Sequence, residues 1–179
     1  MGVYMRNMFG WLDRFFILLA MLLIGFALGI TFKLYYGYAA KKPNKWQNPP
    51  IIVNCIGEEI SEETIKRAVD FWSEKKEEVY FYQYERIDSI CDSKDHNNGL
   101  IVLRKEKELE GGLDPDILAI TKVYSITNRI TRSNIYFREN TYNFTLLLEH
   151  ELGHSFGYSH VNIIGNIMHK NYDSIGPRL

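Results

Sequence analysis

The chain has few of the residues on which several classes of protein depend. Only two of its 179 residues are cysteines, Cys55 and Cys91, which is too few for a scaffold held by many disulfides. Its lysines and arginines are spread along the chain and its net charge is −1, so it lacks the basic stripe of a nucleic-acid-binding protein. The sequence also has no internal repeat and no long low-complexity tract. We therefore expect a globular domain without a nucleic-acid partner.

The two cysteines leave the question of compartment open. They could form a single bridge outside the cytoplasm, or they could be buried and reduced. The sequence is compatible with both arrangements.

One long apolar run stands near the N-terminus. It reads FFILLAMLLIGFALGITF from Phe15 to Phe32 and ends at Lys33. A helix needs roughly 20 apolar residues to cross the hydrocarbon core of a bilayer, whereas the apolar region of a cleaved signal peptide usually has about 7–15. A cleaved signal and a buried core helix are the alternatives. We predict a transmembrane anchor over residues 15–34, preceded by a flank at residues 1–14.

A linker and one domain are predicted after this run. Residues 35–50 contain Gly37, Pro43, Pro49 and Pro50, which is a composition typical of a connecting segment. Residues 51–179 are enough for one domain with its own core. We therefore place the folded domain at residues 51–179.

Two helices are predicted in this domain. Ser61 is a suitable N-cap for a helix that runs to about Lys76, because apolar residues recur there at helical spacing. A second helix is predicted from Leu146 onward, with Asn143 as its N-cap.

Short β-rich runs alternate with these helices. The predicted strands are Ile51–Ile56, Val79–Tyr84, Leu100–Leu103, Ile117–Thr121 and Asn134–Phe137. The last two are expected to be joined around residues 128–133. The order strand, helix, several strands, helix predicts an α+β fold with helices packed on a sheet.

The most informative segment is HELGHSFGYSH, from His150 to His160. Residues four apart lie on one face of a helix, so His150 and His154 can direct their imidazoles at one metal ion. Gly157 allows the chain to leave the helix through a left-handed turn, which can bring His160 round as a third nitrogen ligand. Three protein ligands leave the fourth position of tetrahedral zinc open, as in catalytic zinc sites.

Glu151 follows His150 in the sequence but points about 100° away from it around the helix. It is therefore predicted to act on water rather than to bind the metal. Zinc lowers the pKa of water toward about 7, and Glu151 can accept a proton as the water attacks a carbonyl and pass it to the leaving amine. A chance pair of surface histidines would not specify five positions at fixed spacing, so the segment predicts metal-dependent hydrolysis.

This segment resembles the signature of the metzincin zinc proteases, and Gly153 gives the HExGHxxGxxH variant typical of the matrixin group. Met168 stands eight residues after His160, a position that suits the methionine of a metzincin Met-turn. Leu118–Thr121 followed by Asn134–Phe137 is similar to the strand pair before the active-site helix in bacterial and phage-type matrixins. The resemblance covers roughly residues 50–179 and is specific between His150 and Met168. One departure is that Val161 stands where matrixins often have serine.

The resemblance implies a metzincin-like zincin domain of the α+β class, with a twisted mixed sheet, a backing helix and an active-site helix. Zn²⁺ is the implied cofactor. Glu151 is the implied catalytic residue, and Met168 is a support for the site rather than a ligand. The implied metal ligands are His150, His154 and His160.

The implied reaction is the hydrolysis of internal peptide bonds in a protein or peptide substrate. The substrate is expected to lie extended along the sheet edge beside Ile117–Ser125 and to pair through backbone hydrogen bonds. An alternative from another class is a membrane-tethered module that binds peptides through an inactive metzincin-like site.

Two further residues near the Met-turn are weaker candidates. His169 lies where metzincins place no ligand, and we expect it at the surface or at a pocket rim. Tyr172 could hydrogen-bond the tetrahedral intermediate, as a tyrosine after the Met-turn does in astacins.

Two arguments about the orientation of the predicted anchor favour opposite sides of the membrane. Basic residues are more numerous after the span than before it, which favours a cytoplasmic domain. Anchored metzincins usually act outside the cytoplasm, so the resemblance implies a single-pass protein with a non-cytoplasmic domain. We expect the latter. The flanking basic residues are Arg6, Arg14, Lys33, Lys41, Lys42 and Lys45.

Overall fold

The computed structural model describes residues 16–26, 45–93 and 98–179. Backbone contacts divide the chain into two units, Met1–Ala39 and Ala40–Leu179. In the first unit, residues 16–26 form helix α1, whose side chains are exposed. Among the described residues, no helix has the length and apolar character needed to cross a bilayer. The anchor predicted at residues 15–34 thus gains no support. Its residues 15 and 27–34 lie outside the described part, as do the flank at residues 1–14 and residues 35–44 of the linker.

The second unit is built on a six-stranded mixed sheet. Strand β6 pairs in parallel with β1 and β4, β2 pairs in parallel with β4 and β3, and β5 runs antiparallel along β6. This arrangement confirms the predicted mixture of helices with a mixed sheet. The strands are β1 Lys45–Trp46, β2 Ile51–Asn54, β3 Phe81–Gln83, β4 Leu100–Lys105, β5 Ala119–Ile126 and β6 Arg129–Phe137.

In the described part of this unit, three α-helices accompany the sheet: α2 Glu62–Glu74, α3 Asp88–Cys91 and α4 Leu147–Ser155. The N-cap prediction for α2 is confirmed, because the Ser61 hydroxyl accepts a hydrogen bond from the Thr64 backbone N–H at 3.1 Å. The N-cap prediction for α4 is wrong. Helix α4 begins after Leu146, which has a left-handed φ of 63° and makes no side-chain cap.

Asn143 instead stabilises the start of the other long helix. Its side-chain oxygen accepts hydrogen bonds from the Ser61 N–H at 2.9 Å and the Thr64 hydroxyl at 3.0 Å. Its side-chain nitrogen donates to the Glu59 carbonyl at 2.9 Å. A residue that looked like a local cap therefore connects the segment before α4 to the N-terminus of α2.

Helices α2 and α4 pack against each other and against one face of the sheet. Trp72 is fully buried between them and donates its indole N–H to the Glu149 carbonyl at 2.7 Å. Arg67 forms a second link, with its Nε 2.8 Å from Glu149 Oε1. Loss of a buried aromatic side chain of this size typically costs about 3–5 kcal/mol. The fully buried core residues include Ile52, Ile65, Ile101, Leu103, Ile135, Phe137, Leu148 and Leu152.

The cysteines are joined as a disulfide on the other face of the sheet. Cys55 directly follows β2, Cys91 ends α3, and their Cα atoms are 5.4 Å apart. They pack with Val53 and Val102 in a small second cluster. The bridge closes a loop with a sequence separation of 36 residues, and a loop of this size corresponds to about 4 kcal/mol in the chain-entropy model. The sequence had left this pairing open.

Part of the predicted linker belongs to the sheet. Lys45 and Trp46 pair with Arg129 and Ile130 at the start of β6. The Trp46 indole also donates to the Ser155 carbonyl at 2.9 Å. Proline-rich composition indicated a connecting segment, but these two contacts depend on partners that lie more than 80 residues away in the sequence.

The hairpin before α4 is longer than predicted. Its turn lies at Thr127 and Asn128, which both have positive φ angles, of 49° and 63°. Positive φ at both central residues is characteristic of a two-residue type I′ hairpin turn. The prediction of a connection around residues 128–133 was wrong, because Arg129–Ser133 are already strand residues paired with β5.

Candidate metal centre

Helix α4 and the segment after it bring three imidazoles together. The Nε2 atom of His160 lies 3.2 Å from that of His150 and 3.0 Å from that of His154. The candidate ligand atoms of the three residues all lie within 4.8 Å of one another. The one-turn spacing on α4 therefore places two rings side by side, as predicted, and the third histidine joins them from outside the helix.

Backbone carbonyls fix which nitrogen of each helical histidine faces the centre. His150 Nδ1 donates to the Ile167 carbonyl at 2.7 Å, and His154 Nδ1 donates to the Tyr158 carbonyl at 2.9 Å. Since each Nδ1 carries the proton, each Nε2 presents a lone pair. His160 cannot donate to both, so a cation is the partner that would satisfy all three nitrogens.

The spacing also suits zinc. Zn–N bonds of about 2.0–2.1 Å in a tetrahedral site place two nitrogen ligands roughly 3.3 Å apart. Two of the three separations, 3.0 and 3.2 Å, are close to this value, and the remaining pair of ligand atoms lies within 4.8 Å. The donor set of three imidazoles is one that zinc sites use.

The histidines are held in the neutral form that a metal requires. Burial lowers the pKa of His150 to about 4, with a further contribution from the neighbouring His154. Burial likewise lowers the pKa of His154 to about 4. The pKa of His160 is also lowered, by burial and then by nearby His169 and Lys170. At neutral pH these rings offer lone pairs without first releasing a proton.

Glu151 is buried beside the histidines and lines the same cleft. Its Oε2 accepts a hydrogen bond from the Thr121 hydroxyl at 2.5 Å. Burial raises the pKa of Glu151 to about 7, and the Thr121 hydrogen bond opposes that shift. A carboxyl group with this pKa can exchange a proton near neutral pH.

The segment after His160 supports the centre from below. The Ile167 carbonyl accepts from His150, and the Met168 carbonyl accepts the Val161 N–H at 2.9 Å. The Met168 N–H in turn donates to the Asn166 side chain at 2.8 Å. Met168 is fully buried, and its sulfur lies beside Gly153 of α4. One turn thus orients a helical histidine and holds the chain next to His160.

Gly153 is required by the packing of that methionine. A Cβ atom added at Gly153 would overlap Met168 Sδ and would lie 2.8 Å from Trp72 Cζ2. Glycine at this helix position therefore allows α4 to approach both side chains closely. The sequence showed the glycine but not the reason for it.

Gly157 ends the helix as predicted, with a φ of 91°. The Tyr158 N–H donates to the Gly153 carbonyl at 2.9 Å, and the Tyr158 hydroxyl donates to Glu77 at 2.8 Å. Tyr158 is thereby fixed at both ends. Its carbonyl can then orient His154.

An open cleft of about 930 Å³ passes the three histidines and Glu151. The edge strand β5 and the residues before it form one wall, and Leu147 and Tyr172 contribute to the lining. The Tyr172 hydroxyl donates to the Thr145 carbonyl at 2.8 Å, so in this structure it is engaged away from the histidines.

His169 does not belong to the group of candidate ligands. It is buried rather than exposed, and its Nδ1 accepts the Asn171 N–H at 3.1 Å. The prediction of a position at the surface or at a pocket rim was wrong, because His169 is buried, does not line the cleft and pairs with Val161 through a backbone bridge.

Two contributors were missed by sequence reasoning. The sequence indicated Thr121 only as a strand residue, and Trp72 only as one of the apolar residues that recur at helical spacing in the helix after Ser61. Their contacts to Glu151 and Gly153 join segments that are distant in the sequence, so no local pattern could indicate them.

Comparisons with known proteins do not extend this description. A scan against models of protein families finds no match, and a search of curated proteins finds no similar sequence. Functional inference therefore depends on the residues of the centre themselves.

Replacement of Gly153 by alanine tests the packing beneath the centre. We expect Gly153→Ala to lower the free energy of unfolding by about 1–3 kcal/mol, because the added Cβ would overlap two buried side chains. Zinc affinity should fall as well, since α4 would move relative to the turn at Met168. Urea denaturation of the metal-free chain and a zinc titration measure the two effects.

Gly25→Ala is the matched control for this change. It makes the same substitution in α1, where no side chain of the described residues beyond its chain neighbours lies within 4 Å of the added Cβ. The unfolding midpoint of the second unit should not move. A Gly153→Ala protein at least as stable as the parent would contradict the packing argument, because alanine in an open helix position stabilises by about 1 kcal/mol.

The pKa shifts predict how stability of the metal-free chain depends on pH. His150 and His154 have a pKa of about 4 in the folded state, against 6.5 for an unperturbed histidine. As the pH falls below 6.5, the unfolded chain takes up protons that the folded chain does not, so stability falls. Glu151 acts in the opposite sense, because its folded pKa of about 7 exceeds 4.5 and its contribution is lost as pH rises.

The two histidines should outweigh the single carboxyl group between pH 6.5 and 4.5. Stability should therefore fall with decreasing pH in both proteins, and more steeply in Glu151→Gln than in the parent, by about one proton per molecule. Urea denaturation in a chelating buffer measures both slopes, and Glu63→Gln, a change at an exposed carboxylate, is the control. Equal slopes for the parent and Glu151→Gln would contradict the assigned burial of Glu151.

Proposed function

We propose that this chain is a zinc-dependent endopeptidase with a metzincin-like, matrixin-type catalytic domain. The observation that carries the proposal is the convergence of three histidine Nε2 atoms beside a buried glutamate, on the wall of an open cleft. A structural zinc site would be closed by four protein ligands. Among the described residues the metal-ligating group has three members, which favours a catalytic site.

The chemistry is divided between the metal and Glu151. Zinc held by the three histidines would polarise the scissile carbonyl and lower the pKa of the attacking water. Glu151 accepts the proton of that water and then delivers it to the leaving amine. Because Thr121 occupies Oε2, we assign the proton transfer to Oε1. His150 and His154 keep their positions through the reaction because backbone carbonyls hold their Nδ1 atoms.

The proposed substrate is an extended segment of a protein or peptide. One edge of β5 pairs with β6, and the same strand lines the cleft over Ala119–Thr121. An extended peptide can add to such an edge as a further strand through backbone hydrogen bonds. This arrangement would bring an internal peptide bond past Glu151, which supports an endopeptidase.

We further propose that the domain acts outside the cytoplasm. The Cys55–Cys91 disulfide supports this location, because disulfides persist mainly in oxidising compartments. A membrane anchor over residues 15–34 stays a prediction.

Protease added to intact cells should digest the domain, and cells alkylated before lysis should yield a chain in which neither cysteine is labelled. A domain that stays shielded, with both thiols labelled, would contradict this location.

Substitutions at the centre should separate metal binding from catalysis. Alanine at His150, His154 or His160 removes a nitrogen ligand, so zinc content and peptidase activity should fall together. Glu151→Gln keeps the shape of the side chain but removes its proton acceptor. It should retain about one zinc per chain and lose turnover by roughly 10²–10⁴-fold or more. Metal content by plasma emission and initial rates on a quenched peptide measure the two properties.

Glu63→Gln is the control, because it makes the same chemical change at an exposed site on α2. It should match the parent in both measurements. The endopeptidase assignment fails if Glu151→Gln cleaves nearly as fast as the parent. A parent that binds zinc and peptide but cleaves nothing would instead indicate a binding module with an inactive site.

A further inference from the structure

Thr121 makes the contact that fixes the Glu151 carboxylate. Its hydroxyl lies 2.5 Å from Glu151 Oε2 and 3.2 Å from the Glu151 backbone carbonyl. The two residues are 30 positions apart in sequence and lie on different elements, β5 and α4. One hydroxyl therefore links the edge strand to the helix that carries the catalytic residue.

The chemistry of this contact favours a role in orientation. An ionised carboxylate only accepts hydrogen bonds, and a buried one needs donors to hold it in one position. The Thr121 hydroxyl engages one oxygen, Oε2, and so determines where the other oxygen points. Thr121 also lines the cleft. It belongs to β5, the strand proposed to hold the substrate, and it contacts Glu151, the residue proposed to activate water.

We propose that Thr121 is a positioning residue, which aligns the Glu151 carboxylate with the bond to be cleaved and couples that alignment to β5. This inference rests on the proposed peptidase function and deepens it. A displacement of about 1 Å in a reacting group can reduce a rate by roughly 10²-fold, so loss of one hydroxyl is enough to produce a large effect on turnover.

A purely structural role is the competing explanation. Thr131 shows what that role looks like, because its hydroxyl donates to the Tyr124 carbonyl at 3.2 Å across the β5–β6 hairpin and does not reach Glu151. Thr131→Val is therefore a matched control. It removes a threonine hydroxyl from the neighbouring strand and leaves the Glu151 contact in place.

The experiment compares Thr121→Val, Thr121→Ala, Thr121→Ser and Thr131→Val in the full chain. Val keeps the shape without the hydroxyl, and Ala provides a second variant if Val does not fold. Both should bind one zinc per chain and lose roughly 10–100-fold in kcat, with KM changed less than about threefold. Thr121→Ser should recover most of the lost kcat, because it restores the hydroxyl, and Thr131→Val should match the parent.

Crystal structures of the metal-free variants give a readout that does not depend on activity. The Glu151 carboxylate should keep its position in Thr121→Ser and should rotate in Thr121→Val. The double variant with Thr121→Val and Glu151→Gln tests whether Thr121 acts through Glu151. Removal of the hydroxyl should have no further effect on kcat once the carboxylate is gone.

The outcomes distinguish this inference from the function on which it rests. If the parent cleaves peptides but Thr121→Val is as active as Thr121→Ser, the positioning role is overturned and the peptidase assignment stands. If Thr121→Val loses activity while Thr121→Ser loses as much, the contact is structural. If the parent does not cleave peptides, the proposed function fails. The positioning role is tested separately by the crystals: a Glu151 carboxylate that keeps its position in Thr121→Val would overturn it.

Discussion

The metal centre depends on the hydrogen bond from His150 Nδ1 to the Ile167 carbonyl. This bond joins helix α4 to a turn that comes after His160, the last of the three candidate ligands, and it sets the imidazole so that Nε2 faces that of His160. The turn can accept it only because Met168 is buried beneath α4, and α4 can lie so close only because residue 153 has no side chain. Trp72 completes the contact from α2. The position of the centre is therefore a consequence of how two helices and one turn share a small buried volume.

The same burial that places the groups also changes their chemistry. Removal from water lowers the pKa of the helical histidines and raises that of Glu151. In both cases burial destabilises the charged form of the side chain. Folding therefore loses free energy at any pH at which that form prevails in the unfolded chain. The core under α2 and α4 and the disulfide behind the sheet offset that cost. The fold thus holds the candidate ligands in their neutral form and keeps Glu151 close to a pKa of 7.

Features set by local sequence could be predicted, and features set by distant contacts could not. His150 and His154 share a helix face by spacing alone, and Ser61 caps α2 through a residue three positions away. Asn143 has the chemistry of a cap, but its partners lie about 80 residues away in the sequence. The pairing of Lys45–Trp46, the burial of His169 and the contact of Thr121 with Glu151 likewise depend on tertiary structure. The sequence therefore indicated which three histidines come together, while the groups that contact them and Glu151 became visible only in the fold.

The central claim is that the three histidines form an open zinc site, and X-ray absorption at the zinc edge tests it most directly. The full chain would be loaded with one equivalent of zinc and the first coordination shell measured. The account predicts three imidazole nitrogens and one solvent oxygen at about 2.0–2.1 Å. A shell that contains sulfur near about 2.3 Å, four imidazoles, or the spectrum of zinc in plain buffer would contradict it.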